Sequence, residues 1–168
     1  MEPVTARDIV KRAVENTDVA CRSLFEKDKA FIRFTSGRSK TIEDEITLLT
    51  KSASRDPFPL VAMFTEGVSE WRNGRILEFR IPKLAVIIRT KLNTTEEQKL
   101  HDSFRSVLHP ISNELERQFK SIHFGYELRI ERSDMPCMND TSGKTSLNQL
   151  CDAVIFRNLR LKYIDTRC

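Results

Sequence analysis

The chain has 168 residues, 39% of them hydrophobic and 31% charged. That is enough for one domain with a single core, and too apolar for a disordered chain. Lys and Arg total 28 against 24 Asp and Glu, a formal charge of +4, which is too small and too mixed a surplus to announce a nucleic-acid-binding protein. The opening MEPVTARDIV lacks a basic leader followed by an apolar core, and no apolar run is long enough to cross a bilayer, so neither secretion nor a membrane partner is expected.

The first predicted element is a helix from Thr5 to Asn16. Thr5 stands at the cap, Asp8 in the first turn, and Ile9, Val10, Ala13 and Val14 share one face. Ala30 to Phe34 reads as a short strand ended by Thr35-Ser36-Gly37. Thr41 to Ser52 is predicted as a second helix burying Ile42, Ile46 and Leu49. Asp56-Pro57-Phe58-Pro59 breaks the pattern, because each proline disfavours helix at the residue before it. Leu60 to Phe64, apolar on both faces, then reads as a buried strand, and Glu66 to Arg75 as a polar connection.

From Leu77 the apolar residues alternate as Leu77, Phe79, Ile81, and after Pro82 as Leu84, Val86, Ile88. A strand has period two, so this change from odd to even positions predicts a bulge or break near Pro82-Lys83, with two strand segments and one of them at an edge. Thr94 and Glu97 have capping-box spacing, and Leu100, Phe104, Val107, Leu108, Ile111, Leu115 and Phe119 follow at helical steps. Pro110 predicts a kink near Leu108-His109. Tyr126, Leu128 and Ile130 mark a half-buried strand, Ser133 to Gln149 a long loop, and Asp152 to Ile164 a final strand. The fold class expected is α+β, a mostly antiparallel sheet packed against one long amphipathic helix with additional N-terminal helices. Residues 1–168 are taken as one domain, with 1–56 an N-terminal segment and 57–164 the sheet-and-helix core.

Reactive residues form no pattern that names a reaction. Cys21, Cys137, Cys151 and Cys168 are scattered without a close-spaced pair. Free thiols are therefore expected, rather than a zinc site that would have to gather Cys137, Cys151, Cys168 and His123 from separate loops. Thr141 to Thr145 contains Gly143-Lys144 but has Met138 where a phosphate-binding loop needs glycine. His101 and His109 would lie about 12 Å apart along a helix, too far for one metal. Glu97-Gln98-Lys99 matches half of a nuclease pattern, but Glu97 is better spent as the capping acid. No catalytic residue, metal or cofactor is expected.

Two surfaces are candidates for contact. Trp71, Arg72 and Arg75 lie together in the polar connection, and Trp and Arg are residue types enriched in protein interfaces. Arg129 and Arg132 on one strand, with Arg157, Arg160 and Lys162 on another, would form a basic sheet face if those strands pair. Glu127 and Glu131 interleave with them, so a solvated face is the plainer expectation and nucleic acid is not expected as a partner.

Three stretches resemble the tail-terminator (tail-completion, head–tail joining) proteins of long-tailed phages and prophages. They are Pro57 to Phe64, Leu84 to Thr90 leading into the helix that ends at Phe119, and Asp152 to Leu161, with Phe104-Arg105-Ser106-Val107-Leu108-His109-Pro110-Ile111 as the helix core. The likeness runs from residue 57 to 164. It implies a non-enzymatic structural protein that forms a homo-oligomeric ring on the end of a tail tube, stops its growth and presents a surface to the head connector. The partners implied are tail-tube and head-connector proteins, and the location implied is the host cytoplasm during assembly and then the virion tail. No functional residue carries over by position. The runner-up expectation is a small nucleic-acid or regulatory binding module that uses the basic sheet face.

Overall fold

The computed structural model describes residues 2–51, 56–89, 95–125, 127–136 and 151–166, leaving aside the side chains of 49–51. The fold is α+β. Its elements run α1 (Ala6–Cys21), β1 (Arg33–Gly37), α2 (Ser39–Lys51), β2 (Leu60–Phe64), β3 (Ser69–Asn73) and β4 (Ile76–Arg89). A composite helix follows, made of α3 (Glu96–Lys99), a π-helical segment (Leu100–Leu108) and α4 (His109–Ile122), and then β5 (Arg129–Met135) and β6 (Cys151–Ile164). The sheet order is β1-β2-β4-β6-β5, with β3 also paired to β4; β1 and β2 are parallel and every other pair is antiparallel.

The long strands β4 and β6 form the spine. Ile76 pairs with Ile164 at one end and Arg89 with Cys151 at the other. Along the opposite side of β4, β3 pairs with the first half and β2 with the second, so these two short strands lie end to end beside β4, with β1 outside β2. The sheet's first face packs on α1 and on the composite helix, burying Leu77, Phe79, Ile81, Phe156 and Leu159 against Val10, Val14, Leu108, Leu115 and Phe119. Burial of each such side chain contributes about 1.5–3 kcal/mol. Among the described residues the second face is covered over only half its length. There α2 lays Ile42 and Ile46 on Leu60, Ala62, Ala85, Ile87, Ala153 and Ile155.

The change of phase at Pro82 takes place within one continuous strand. On β4 the first core receives Leu77, Phe79 and Ile81, then Leu84 and Val86; on β6 it receives Val154 and Phe156, then Leu159, Leu161 and Tyr163. Both strands switch parity at the same rung. Pro82 and Asn158 stand between the pairs Ile81–Leu159 and Lys83–Arg157, so the ladder stays in register through the irregularity and no second segment is needed. Pro82 has no N–H to give the ladder, and Asn158 takes φ = +53°, a left-handed conformation that asparagine tolerates better than most residues. The neighbouring β5 does not share the extra residue, and its register shifts between Arg129 and Glu131.

The first 56 residues, expected as an N-terminal segment, supply α1 to the main core and β1 to the sheet. Thr5 caps α1 in a full capping box with Asp8. The helix continues past Asn16 to Cys21, because the Asp18 carboxylate accepts the Phe31 and Ile32 N–H groups at 2.8 Å each and pairs with Arg22 at 2.7 Å. Glu66, beyond β2, accepts the Ser39 N–H at 2.6 Å and so holds the start of α2.

Two local expectations are corrected, and a third is given its form. The capping box of the long helix is Thr95 with Gln98, with Thr95 in the extended region at φ −69°, ψ 162°, so Glu97 is not the capping acid; Thr94 lies outside the described residues. The irregularity upstream of Pro110 takes the form of π-helical bonding, in which the His109 N–H reaches the Phe104 carbonyl five residues back. A proline at 110 conflicts with α-helical placement of the Ser106 carbonyl and has no N–H to donate to it. Finally, part of the stretch read as connection is strand β3, which forms a hairpin with β4 through Gly74 at φ +57°. Leu49, Tyr126 and the segment 137–150, including the Gly143-Lys144 motif and Cys137, lie outside the described side chains or residues, as does Cys168.

Candidate functional site

The half of the second sheet face that α2 leaves bare is a basic surface with an aromatic residue at its edge. Paired residues on neighbouring strands share a face, so the ladder fixes what lies there. One rung carries Ser69, Arg80, Arg160 and Arg129; the next toward the hairpin carries Trp71, Glu78 and Lys162; and the rung on the α2 side carries Lys83, Arg157 and Glu131. Of the predicted basic cluster, Arg129, Arg157, Arg160 and Lys162 therefore converge. Arg80 and Lys83 of β4 join them, which makes six cations on three adjoining strands.

Arg132 does not belong to this cluster. It lies opposite Phe156, on the face that meets the helices, where it donates to the Asn113 Oδ1 at 2.6 Å, sits 3.6 Å from Glu116 and stacks over the Phe156 ring. The sequence reading placed it wrongly because Arg129 and Arg132 are an odd number of residues apart; the register shift between Arg129 and Glu131 does not bring it back. The missed pair, Arg80 and Lys83, was available from the same alternation that exposed the change of phase: Arg80 lies outward before the switch, and Lys83 lies outward after it.

Among the described residues the acids on this surface leave the cations in excess. Glu78 pairs with Lys162 at 3.7 Å, and Glu131 accepts the Asn158 side-chain amide at 3.3 Å. Arg80 donates to Asn158 Oδ1 at 2.8 Å, so Asn158 ties β4 to β5 across β6. Among the described residues Arg129, Arg157 and Arg160 make no ion pair. Lys83 sits 4.4 Å over the Phe64 ring, and burial together with the Arg157 guanidinium holds its ammonium below the ordinary lysine value.

A concavity of about 670 Å³ opens at the hairpin end of this surface, lined by Glu78, Arg129, Arg160 and Lys162 from the sheet and by His123, Phe124 and Glu127 from the segment after α4. That segment is fastened to β6: the Phe124 N–H donates to the Lys162 carbonyl at 2.8 Å, and the Lys162 N–H donates to His123 Nδ1 at 3.2 Å. Phe124 is left 53% exposed and Trp71 57% exposed, so two large aromatic rings stand at the rims of the cationic rows.

The predicted group Trp71, Arg72 and Arg75 is divided between surfaces. Trp71 lies on the open face, level with Glu78 and Lys162. Arg72 instead donates to the Val4 carbonyl at 2.8 Å and lies 3.6 Å from buried Asp165. With Glu70, which accepts the Ala6 N–H at 2.7 Å, it clamps the start of α1. Arg75 is exposed in the hairpin turn, where its carbonyl takes the Asp165 N–H.

The residues weighed for chemistry are dispersed. His101 pairs with its neighbour Asp102, His109 with Asp134 at 2.8 Å, and His123 lies at the concavity. Lys99 turns to buried Asp152 at 3.7 Å while Glu97 is exposed. Burial pushes the Cys21 thiol up to about 11 and the Cys151 thiol up to about 12, so both are held in the unreactive thiol form. Among the described residues no three His, Cys, Asp or Glu side chains converge, and no helix is long and apolar enough to cross a membrane. Compared with known families and with characterised proteins, the chain matches no family model and no curated protein.

Proposed function

We propose that this chain is a non-enzymatic assembly protein that self-associates head to tail, in the manner of a phage or prophage tail terminator or head–tail joining factor. The phage role rests on the sequence resemblance. The observation that carries self-association is the pair of open sheet margins. Among the described residues β5 pairs only with β6, while β1 and β3 on the opposite margin pair only with β2 and β4. Unpaired strand edges are templates for another chain. Adding one copy's β5 margin to the next copy's β1–β3 margin joins two different surfaces, and such a contact closes as a ring when the rotation allows.

Light scattering over a concentration series, at low and moderate salt, tests this reading. The expected result is a ring-sized species, or a mass that climbs with concentration, and weaker association in Arg75→Glu at the tip of the β3–β4 hairpin. A strict monomer at every concentration and salt contradicts self-association through these margins.

A further inference from the structure

We infer that the bare half of the sheet binds single-stranded nucleic acid, with Arg80, Arg129, Arg157, Arg160 and Lys83 meeting the phosphates and Trp71 and Phe124 stacking on bases. The inference goes beyond the assembly reading and uses the sheet face rather than its margins.

Charge and shape select this occupant. Six cations from β4, β5 and β6 face outward together, against Glu78, Glu127 and Glu131. Glu78 is already engaged by Lys162, and Glu131 by Asn158. Three of the arginines have no ion-pair partner among the described residues, so their charge is available to a polyanion without breaking an existing pair. Single strands are held by this combination of a positive surface that follows the backbone and aromatic rings on which bases stack.

Trp71 and Phe124 supply the rings. Trp71 is level with Glu78 and Lys162, and the Phe124 N–H bonds to the Lys162 carbonyl. The two therefore flank one rung of the sheet, about 14 Å apart if each of three steps between strands is about 4.8 Å. An acidic protein segment would satisfy the cations and leave both rings exposed to water. A duplex keeps its bases stacked on each other, and a broad sheet face does not enter its grooves. Unpaired bases on a phosphate backbone match both features.

The test is fluorescence anisotropy with labelled oligothymidylate, its duplex of equal length, and polyglutamate as the acidic-polypeptide probe. The expected result is binding that prefers the single strand and weakens steeply with salt, with a log–log slope of about −0.7 for each phosphate engaged. Trp71→Ala is expected to weaken binding by about five- to 150-fold, the range for losing one base stack. The double variant Arg129→Ala/Arg160→Ala is expected to flatten the salt slope by about 1.4, with Arg160→Lys retaining the wild-type slope and Arg117→Ala on α4 changing nothing. Thermal melts of each variant confirm that it is folded. Absence of salt-dependent binding, equal affinity for duplex with Trp71→Ala neutral, or tighter binding of polyglutamate each overturns the inference. A monomer that binds the oligonucleotide overturns only the assembly reading, and a ring that does not bind it overturns only this one.

Discussion

The two halves of the second sheet face are built from the same two strands and have opposite fates. Toward the end of β4 and the start of β6, Ala85, Ile87, Ala153 and Ile155 lie under α2. Beyond Pro82 and Asn158, the same face carries Arg80, Arg160, Glu78 and Lys162 and nothing covers it among the described residues. A continuous strand therefore does not imply a continuous environment. Small and branched side chains on one half make a seat for a helix, whereas long charged side chains on the other keep their heads in water.

That contrast can be broken most forcefully on the covered half. Ile155→Asp places an unpaired charge beneath α2, where residue 155 has no exposure, and is expected to cost about 3–5 kcal/mol or to unfold the chain; a circular dichroism melt reads the loss. Ile87→Ala in the same layer leaves a cavity and is expected to cost about 2–5 kcal/mol by urea denaturation.

The boundary is the next place to test. Asn158→Val forces a β-branched residue into φ = +53° and removes the side-chain links to Arg80 and Glu131, for an expected loss of about 2–3 kcal/mol. Asn158→Gly keeps the conformation and is expected to lose less. Equal losses from the two variants would show that hydrogen bonding, and not backbone handedness, sets the boundary.

On the bare half the effects shrink. Burial first, and then the Lys162 ammonium, hold the His123 imidazole below the ordinary histidine value, while the Glu127 backbone and Glu78 pull it the other way. Because His123 Nδ1 accepts the Lys162 N–H, protonation there removes an acceptor. The unfolded chain then takes up the proton at a higher pH than the folded one. The contribution of His123 is full above the ordinary histidine range, and is lost as pH falls through that range toward the lowered value. Melts from about pH 7.5 to about pH 5 are expected to show a decline that is smaller in His123→Gln. The smallest effect belongs to Arg160→Ala, expected to change stability by no more than about 0.5 kcal/mol, so that binding assays on this variant report on binding alone.

Much of the contrast was legible in the residues. Leu60 to Phe64 and Ala153 to Phe156 read as apolar on both faces, and these are the stretches buried on both sides. The parity change at Pro82 was also visible. Its meaning was not, since only the ladder reveals that β6 makes the matching change at Asn158. The strand β3 was hidden because none of its residues is buried, which leaves no apolar alternation to detect. The same absence grouped Trp71 with Arg72, whereas a strand sends neighbouring side chains to opposite faces. Among the basic residues, alternation alone assigned Arg129, Arg160 and Lys162 to one side, and the same alternation, three residues on from Arg129, sends Arg132 to the other.

The spine of β4 and β6 also sets the order in which the molecule can come together. Its rungs join Ile76 to Ile164 and Arg89 to Cys151, so each one closes a long stretch of intervening chain. Such non-local pairing is slow to form, because the loop entropy is lost before the contacts are gained. On a ribosome, β4 emerges well before its partner and must wait with one margin open. During that interval the β3–β4 hairpin and β2 can assemble locally, while Leu84 to Ile87 remain a sticky, half-dressed strand. By sequence order β6 is the last of the described strands to emerge, and its pairing with β4 and β5 completes the sheet.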